Sequence, residues 1–271
     1  MPKKLTALFI PLNAVGHINS SVGIAETLES RGHRIIFAVN ETYKGRFIEK
    51  GFEEEMIEKE KQSELSFDQI AEIIEQCGIT QDRSPVEKFI AITKPQSSRL
   101  TKYQDQKIKE IIQRTKPDVI FNDFVFAPSI INSGIPWVNV FSVQILTAID
   151  DEKTPQWWLG LPTYDNSQWE KQKEMIKESV AKLKEQYYCL FEGIKPFPDD
   201  RVIESPYLNI YAYPVELDYL DQRPLPPKWH QFDSFIRSNE KDFELPEKLK
   251  QKSGKLIFLS MGTVSSMSVQ L

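Results

Sequence analysis

Short, mainly apolar runs alternate along this chain with longer stretches in which apolar residues recur every three or four positions. Residues 5–11 are an apolar run bounded by Lys4 and Asn13, the pattern of a strand buried on both faces. After it, Ile18, Val22, Ala25 and Leu28 fall at helical spacing. Asn19 or Ser20 is available to cap the start, and Gly32 to take the left-handed stop. Residues 34–39 return as a second strand. Strand, helix and strand within about forty residues make a βαβ unit, whose crossover is right-handed and whose sheet is parallel.

The rhythm continues. Phe67, Ile70, Ile73, Ile74 and Cys77 predict an amphipathic helix, and residues 100–112 a second with a charged outer face. Residues 118–123 read as a strand, 126–132 as a short helix stopped by Gly134, and 136–141 as the next strand. The fold class expected is therefore α/β, with a doubly wound, Rossmann-like parallel sheet. Residues 168–192 favour a long helix with Trp169, Met175, Ile176, Val180, Leu183 and Tyr187 near one face, and 207–213 a late strand. Eight of the seventeen prolines lie from Pro196 to Pro246, which argues for extended crossing segments there. We expect a first domain over 1–237, a linker over 238–254, and over 255–271 the first strand and loop of a second domain. A strand and a loop cannot bury a core by themselves.

Composition narrows the function. The 34 Lys+Arg against 39 Asp+Glu leave a net charge of −5 without a basic block, so a nucleic-acid partner is not expected. With two cysteines, Cys77 and Cys189, and three histidines, a zinc cluster or disulfide framework lacks materials; no metal is expected. Lys3-Lys4 before the first apolar run imitates a secretory signal, but Pro11 and Asn13 interrupt the run and no small-x-small site follows closely. No stretch approaches the ~18 apolar residues of a spanning helix. A cytoplasmic location is expected.

In open parallel sheets, ligands sit beyond the carboxyl ends of the strands. The loop after the first strand carries Gly16, which allows a tight turn, and His17, at the mouth of the following helix. The helix dipole there disfavours a protonated imidazole, and a neutral imidazole can remove a hydroxyl proton. Asp123 ends the 118–123 strand on the same sheet edge, where it could orient His17. Each alone has a bland reading, as a surface or capping histidine and as a turn-forming aspartate. Phe124, Trp157 and Trp158 could wall an apolar pocket for a lipophilic alcohol or phenol, and Ser142 and Gln144 could orient it; aromatics at helical spacing are otherwise core. His33 and His230 read as structural. Glu41 beyond the second strand imitates the ribose-binding acid of a dinucleotide fold, but Gly16 and Gly23 do not complete the glycine fingerprint.

Phe9-Ile10-Pro11 through Gly16-His17-Ile18-Asn19, then Gly23-Ile24-Ala25-Glu26, Leu28 and Gly32-His33, resembles the N-terminus of UDP-glycosyltransferases. Residues 117–123, 208–211, 216–219 and 256–263 are similar to later segments of that family, in the same order. The resemblance implies two facing Rossmann-like domains of the GT-B type, the first holding a small lipophilic acceptor and the second a UDP-sugar. Carried over, His17 is the general base and Asp123 its orienting carboxylate. Gly16, Phe124, Ser142, Gln144, Trp157 and Trp158 line the acceptor side, and Ser260, Gly262 and Thr263 meet the donor. Transfer would invert the anomeric centre without metal or bound cofactor, the UDP-sugar being a co-substrate. The chain departs from the family in having Ser20 where proline is frequent, and in lacking a His-Gly-Gly-type donor loop, so turnover by these residues alone is not expected. Microsomal members of the family also carry a C-terminal membrane anchor, which the resemblance leaves open here. The alternatives are a non-catalytic small-molecule-binding protein derived from the family and, on Glu41 alone, a nicotinamide-dependent oxidoreductase.

Overall fold

The computed structural model describes residues 3–58, 84–87, 102–123, 125, 127–142, 146, 152–155, 159–188, 204–238 and 244–257. Within them lie β1 (Thr6–Pro11), α1 (Val15–Glu29), β2 (Arg34–Asn40), β3 (Glu53–Glu58), α2 (Lys102–Thr115), β4 (Val119–Asp123), α3 (Pro128–Ile131), β5 (Trp137–Phe141), α4 (Trp169–Tyr188), β6 (Leu208–Ala212) and β7 (Trp229–Phe232). The strands form one seven-stranded sheet in the order β3-β2-β1-β4-β5-β6-β7, with every described pairing parallel. From β1 the chain builds outward through β2 and β3, then returns to place β4 on the other side of β1 and builds away from it. The β1/β4 boundary is thus the topological switch point, where the crossovers diverge and leave a crevice beyond the strand ends.

Burial on both faces explains why the central strands read as continuous apolar runs. Leu8, Ile10, Ile36 and Ile120 pack with Ile108, Ile111 and Ile112 of α2 on one face. Phe9, Phe37 and Val39 pack with Ile18, Val22 and Ala25 of α1 on the other, where the rings of Phe9, Phe37 and Phe121 are stacked. The segment that imitates a signal core is β1, an interior strand of the sheet paired to β2 on one side and β4 on the other. Among the described residues no helix is long and apolar enough to cross a membrane.

Several expectations need correction. Helix α1 begins at Val15, with Ala14 as N-cap and no side-chain capping bond. Asn19 and Ser20 lie inside it instead: the Ser20 hydroxyl donates to the Gly16 carbonyl at 3.1 Å, and Asn19 accepts from Arg46 at 2.9 Å. Gly32 does take the left-handed position, at φ 86°, as does Gly134 at 72°. Strand β3 was hidden by its glutamates. Arg34 grips Glu53 bidentately at 2.7 and 2.6 Å, Arg114 grips Glu55, and Glu54 accepts from the Gly45 and Phe47 amides at 2.7 and 2.8 Å. Partnered on both faces, an acidic segment can serve as an edge strand, and its charge discourages pairing with another chain. Strand β7 arises within the proline-rich region, pairing from Asn209↔Trp229 to Ala212↔Phe232 once Pro227 is passed.

Toward the end of the described residues, Leu256 and Ile257 are exposed and 255–257 are not in a strand; the rest of that expected strand, 258–260, lies outside the described residues. The helix predicted around 67–77 lies outside them as well. After β7 the chain passes back over α1. A Cβ on Gly23 would come within 2.7 Å of the Phe235 and Ile236 carbonyl oxygens, so only glycine admits this approach. Beside it, Glu26 accepts from the Ser238 amide at 2.6 Å and hydroxyl at 2.9 Å, and pairs with Lys50 at 2.8 Å.

Candidate functional site

Three strand ends converge at the switch point. Pro11 of β1 stands beside Asp123 of β4, and the Leu12 amide donates to the Asp123 carbonyl at 2.9 Å, so the loop after β1 leaves the sheet against the end of β4. That loop turns at once into α1, placing His17 in the first helical turn. On the far side of β4, β5 ends at Phe141 and hands the chain to Ser142. Side chains alternate between faces along a strand, so Phe121 and Asp123 share one face of the sheet with Val138, Val140 and Ser142. This is the face that α1 covers, as the packing of Phe9 and Phe37 on α1 and of Val140 with Phe121 and Ile24 demonstrates.

Alternation and topology together bring the side chains of three sequence-distant residues into a triangle. His17 Nδ1 lies 3.0 Å from Asp123 Oδ2 and 2.7 Å from Ser142 Oγ, and the Ser142 hydroxyl donates to Asp123 Oδ2 at 2.8 Å. The Asp123 side chain is 1% exposed and that of His17 16%, so the carboxylate is sealed while the imidazole keeps part of its surface exposed. Burial raises the Asp123 carboxyl above the ordinary carboxylate range, against the hydrogen bonds and charge of His17 and the Ser142 hydroxyl and amide, which lower it. Its other oxygen, Oδ1, is buried without a hydrogen-bond partner among the described residues, which adds to the desolvation cost.

An ionised Asp123 facing Nδ1 selects the tautomer that carries its proton there. A lone pair on Nδ1 would otherwise confront a carboxylate oxygen at 3.0 Å. The basic nitrogen is then Nε2. The arrangement can accept a proton at Nε2 and stabilise the resulting imidazolium with a buried counter-charge.

Among the remaining expected site residues, Gly16 lies in the first turn of α1 and is exposed, with nothing within 4 Å of the position a Cβ would take. Ser142, expected to orient a substrate, turns its hydroxyl to His17 and Asp123. Sequence reasoning missed that contact, although counting by twos along β4 and β5 would have placed Ser142 on the face of Asp123. Phe124, Gln144, Trp157, Trp158, Ser260, Gly262 and Thr263 lie outside the described residues. Glu41 pairs with Lys44 at 3.1 Å. His33 is structural as expected: its Nδ1 accepts from the Leu5 amide at 3.1 Å. Among the described residues no group of three or more His, Cys, Asp or Glu side chains is arranged to hold a metal ion.

No protein-family model matches the chain, and no curated protein does. Solved structures do match it. A glycotransferase of kitacinnamycin is 15% identical, with a TM-score of 0.52 over 91% of this chain and 56% of that one. The glycosyltransferase SsfS6 of Streptomyces sp. SF2575 is also 15% identical, with a TM-score of 0.48 over 92% of this chain and 59% of that one. The chain therefore spans a little over half the length of these proteins. The fold is the α/β, Rossmann-like parallel sheet found in glycosyltransferases of the GT-B type.

Proposed function

We propose that these residues form the acceptor-binding, base-carrying half of an inverting UDP-glycosyltransferase acting on small lipophilic hydroxyl compounds. The observation that carries the reading is the 3.0 Å approach of His17 Nδ1 to Asp123 Oδ2 at the switch point of the sheet, between residues 106 positions apart. The likeness in fold to glycosyltransferases and the resemblance of the His17 and Asp123 segments to UDP-glycosyltransferases support it.

In this reading Nε2 of His17 takes the proton of the acceptor hydroxyl as its oxygen attacks the anomeric carbon. The bond from that carbon to the diphosphate breaks on the opposite side and UDP departs with the bonding electrons. Asp123 holds the proton on Nδ1 throughout and balances the imidazolium. The donor falls to a second, facing domain. These 271 residues contain no His-Gly-Gly-type loop, so the chain by itself is expected to bind acceptor without turnover.

The test is sugar transfer from UDP-glucose or UDP-glucuronate to a panel of phenols and alcohols, read by mass spectrometry. The enzyme is the protein translated from the whole reading frame that contains these residues. Glycoside formation that His17→Ala slows by about 10²–10⁴ is the expected outcome. Equal rates from both proteins would remove His17 from the chemistry, and absence of any glycoside would overturn the assignment.

A further inference from the structure

We infer that Ser142 is a positioning residue of this site, one that holds the buried Asp123 carboxylate by donating to it and fixes the His17 imidazole through it. The inference deepens the reading above and rests on it for its catalytic meaning. The juxtaposition of the three side chains stands on geometry alone.

The three polar atoms enclose a triangle with edges of 3.0, 2.7 and 2.8 Å, each within hydrogen-bonding range. With Asp123 ionised, two hydrogens are available to hold three edges: the Nδ1–H of His17 and the O–H of Ser142. The carboxylate accepts only, so the serine proton goes to Asp123 Oδ2 and the imidazole proton is shared between Oδ2 and the serine oxygen. Every hydrogen then points toward an acceptor. In the opposite tautomer the serine proton must choose between Nδ1 and Oδ2, and the two acceptors left face to face repel. The hydroxyl therefore does two things that a methyl group could not. It donates a charge-assisted hydrogen bond to a carboxylate whose charged form burial disfavours, and it offers the Nδ1 proton a second acceptor.

Ser142 is held where this is possible by the sheet. Val140 lies on β5 in register with Ile210 of β6, two residues before Ser142, and β5 is bonded to β4 along Ile120↔Trp137 to Asn122↔Asn139. Among the described residues, the groups acting on the Asp123 carboxyl are His17 from α1 and Ser142 from the end of β5.

The experiment reads the Asp123 carboxyl directly, by its side-chain carbon resonance as a function of pH in the full chain, together with the His17 ring-nitrogen shifts. In Ser142→Ala the carboxyl midpoint is expected to move further up, by about one pH unit, the tenfold change in proton affinity that one charge-assisted bond supports. Ser142→Thr, which keeps the hydroxyl, should return it toward the wild-type value. Ser142→Cys, a weaker donor of similar size, should fall between them and serves in place of alanine if that variant does not fold. In the whole-frame protein, the acid limb of the transfer rate should follow the same order. A midpoint unchanged by both Ala and Cys overturns the inference, whether or not transfer occurs. A shifted midpoint in a protein that transfers no sugar upholds the hydrogen-bond arrangement and overturns the glycosyltransferase reading instead.

Discussion

Burial and charge act in opposite directions on Asp123, and burial prevails: its carboxyl lies above the ordinary carboxylate range despite three lowering contacts. A group whose folded-state pKa is raised costs stability above that pKa and regains it as the pH falls through it. Its ionised form is nonetheless the one the proposed chemistry needs. Asp123→Asn should therefore separate the two roles. Transfer should fall by about 10²–10⁴, because the amide no longer balances an imidazolium or selects the Nδ1–H tautomer. The thermal midpoint at pH 7 should hold or rise, because a desolvated charge has been removed, and that advantage should vanish in acid where wild-type Asp123 is itself protonated. Calorimetry at the two pH values checks this, and a variant that melts earlier at pH 7 would mean that the contacts to His17 and Ser142 outweigh desolvation. His17 and Asp123 were legible in the sequence because Asp123 ends a strand and His17 opens the helix that follows another, on the same edge of the sheet. Ser142's part was not, since it depends on which way its hydroxyl turns.

Helix α1 does more than present His17. Its outer surface is crossed by the segment after β7, so closely that Gly23 leaves no room for a methyl group. Gly23→Ala sets two effects against each other. Alanine gains about 0.5–1 kcal/mol inside a helix, whereas forcing a methyl against two backbone oxygens costs about 1–3 kcal/mol, and backbone cannot step aside as a flexible side chain can. Net destabilisation of about 1–2 kcal/mol is the expectation, measured by chemical denaturation. A stabilised variant would show that the 235–236 segment yields easily. The sequence displayed this glycine as part of a recognisable motif without revealing its reason, because the partner lies more than two hundred positions away. Strand β3 eluded sequence reading for a related cause: Glu53 and Glu55 look like loop residues until Arg34 and Arg114 arrive from other elements. Local pattern reports what an element buries, and cannot report which distant side chains make a charged element acceptable.

For the molecule as a whole, Glu26 ties together parts that the chain order keeps apart. It joins α1 to Lys50, ahead of β3, and to Ser238, beyond β7, where the sequence suggested that one domain gives way to the next. Burial works to raise the Glu26 carboxyl, but the Lys50 hydrogen bond and the Ser238 amide and hydroxyl outweigh it, and the net direction is below the ordinary value of 4.5. A depressed folded-state pKa contributes stability that is present above the unfolded value and is lost as the pH falls through the folded one. Glu26→Gln keeps the shape and loses the charge. It should be less stable than wild type by about 1 kcal/mol at pH 7, with the gap closing as the pH falls below the ordinary 4.5 and through the depressed folded-state value, where wild-type Glu26 takes up its own proton. Urea titrations of both proteins across that range decide the matter. A gap that persists unchanged into acid would mean that packing rather than the carboxylate fastens this segment to the helix, whose first turn carries His17.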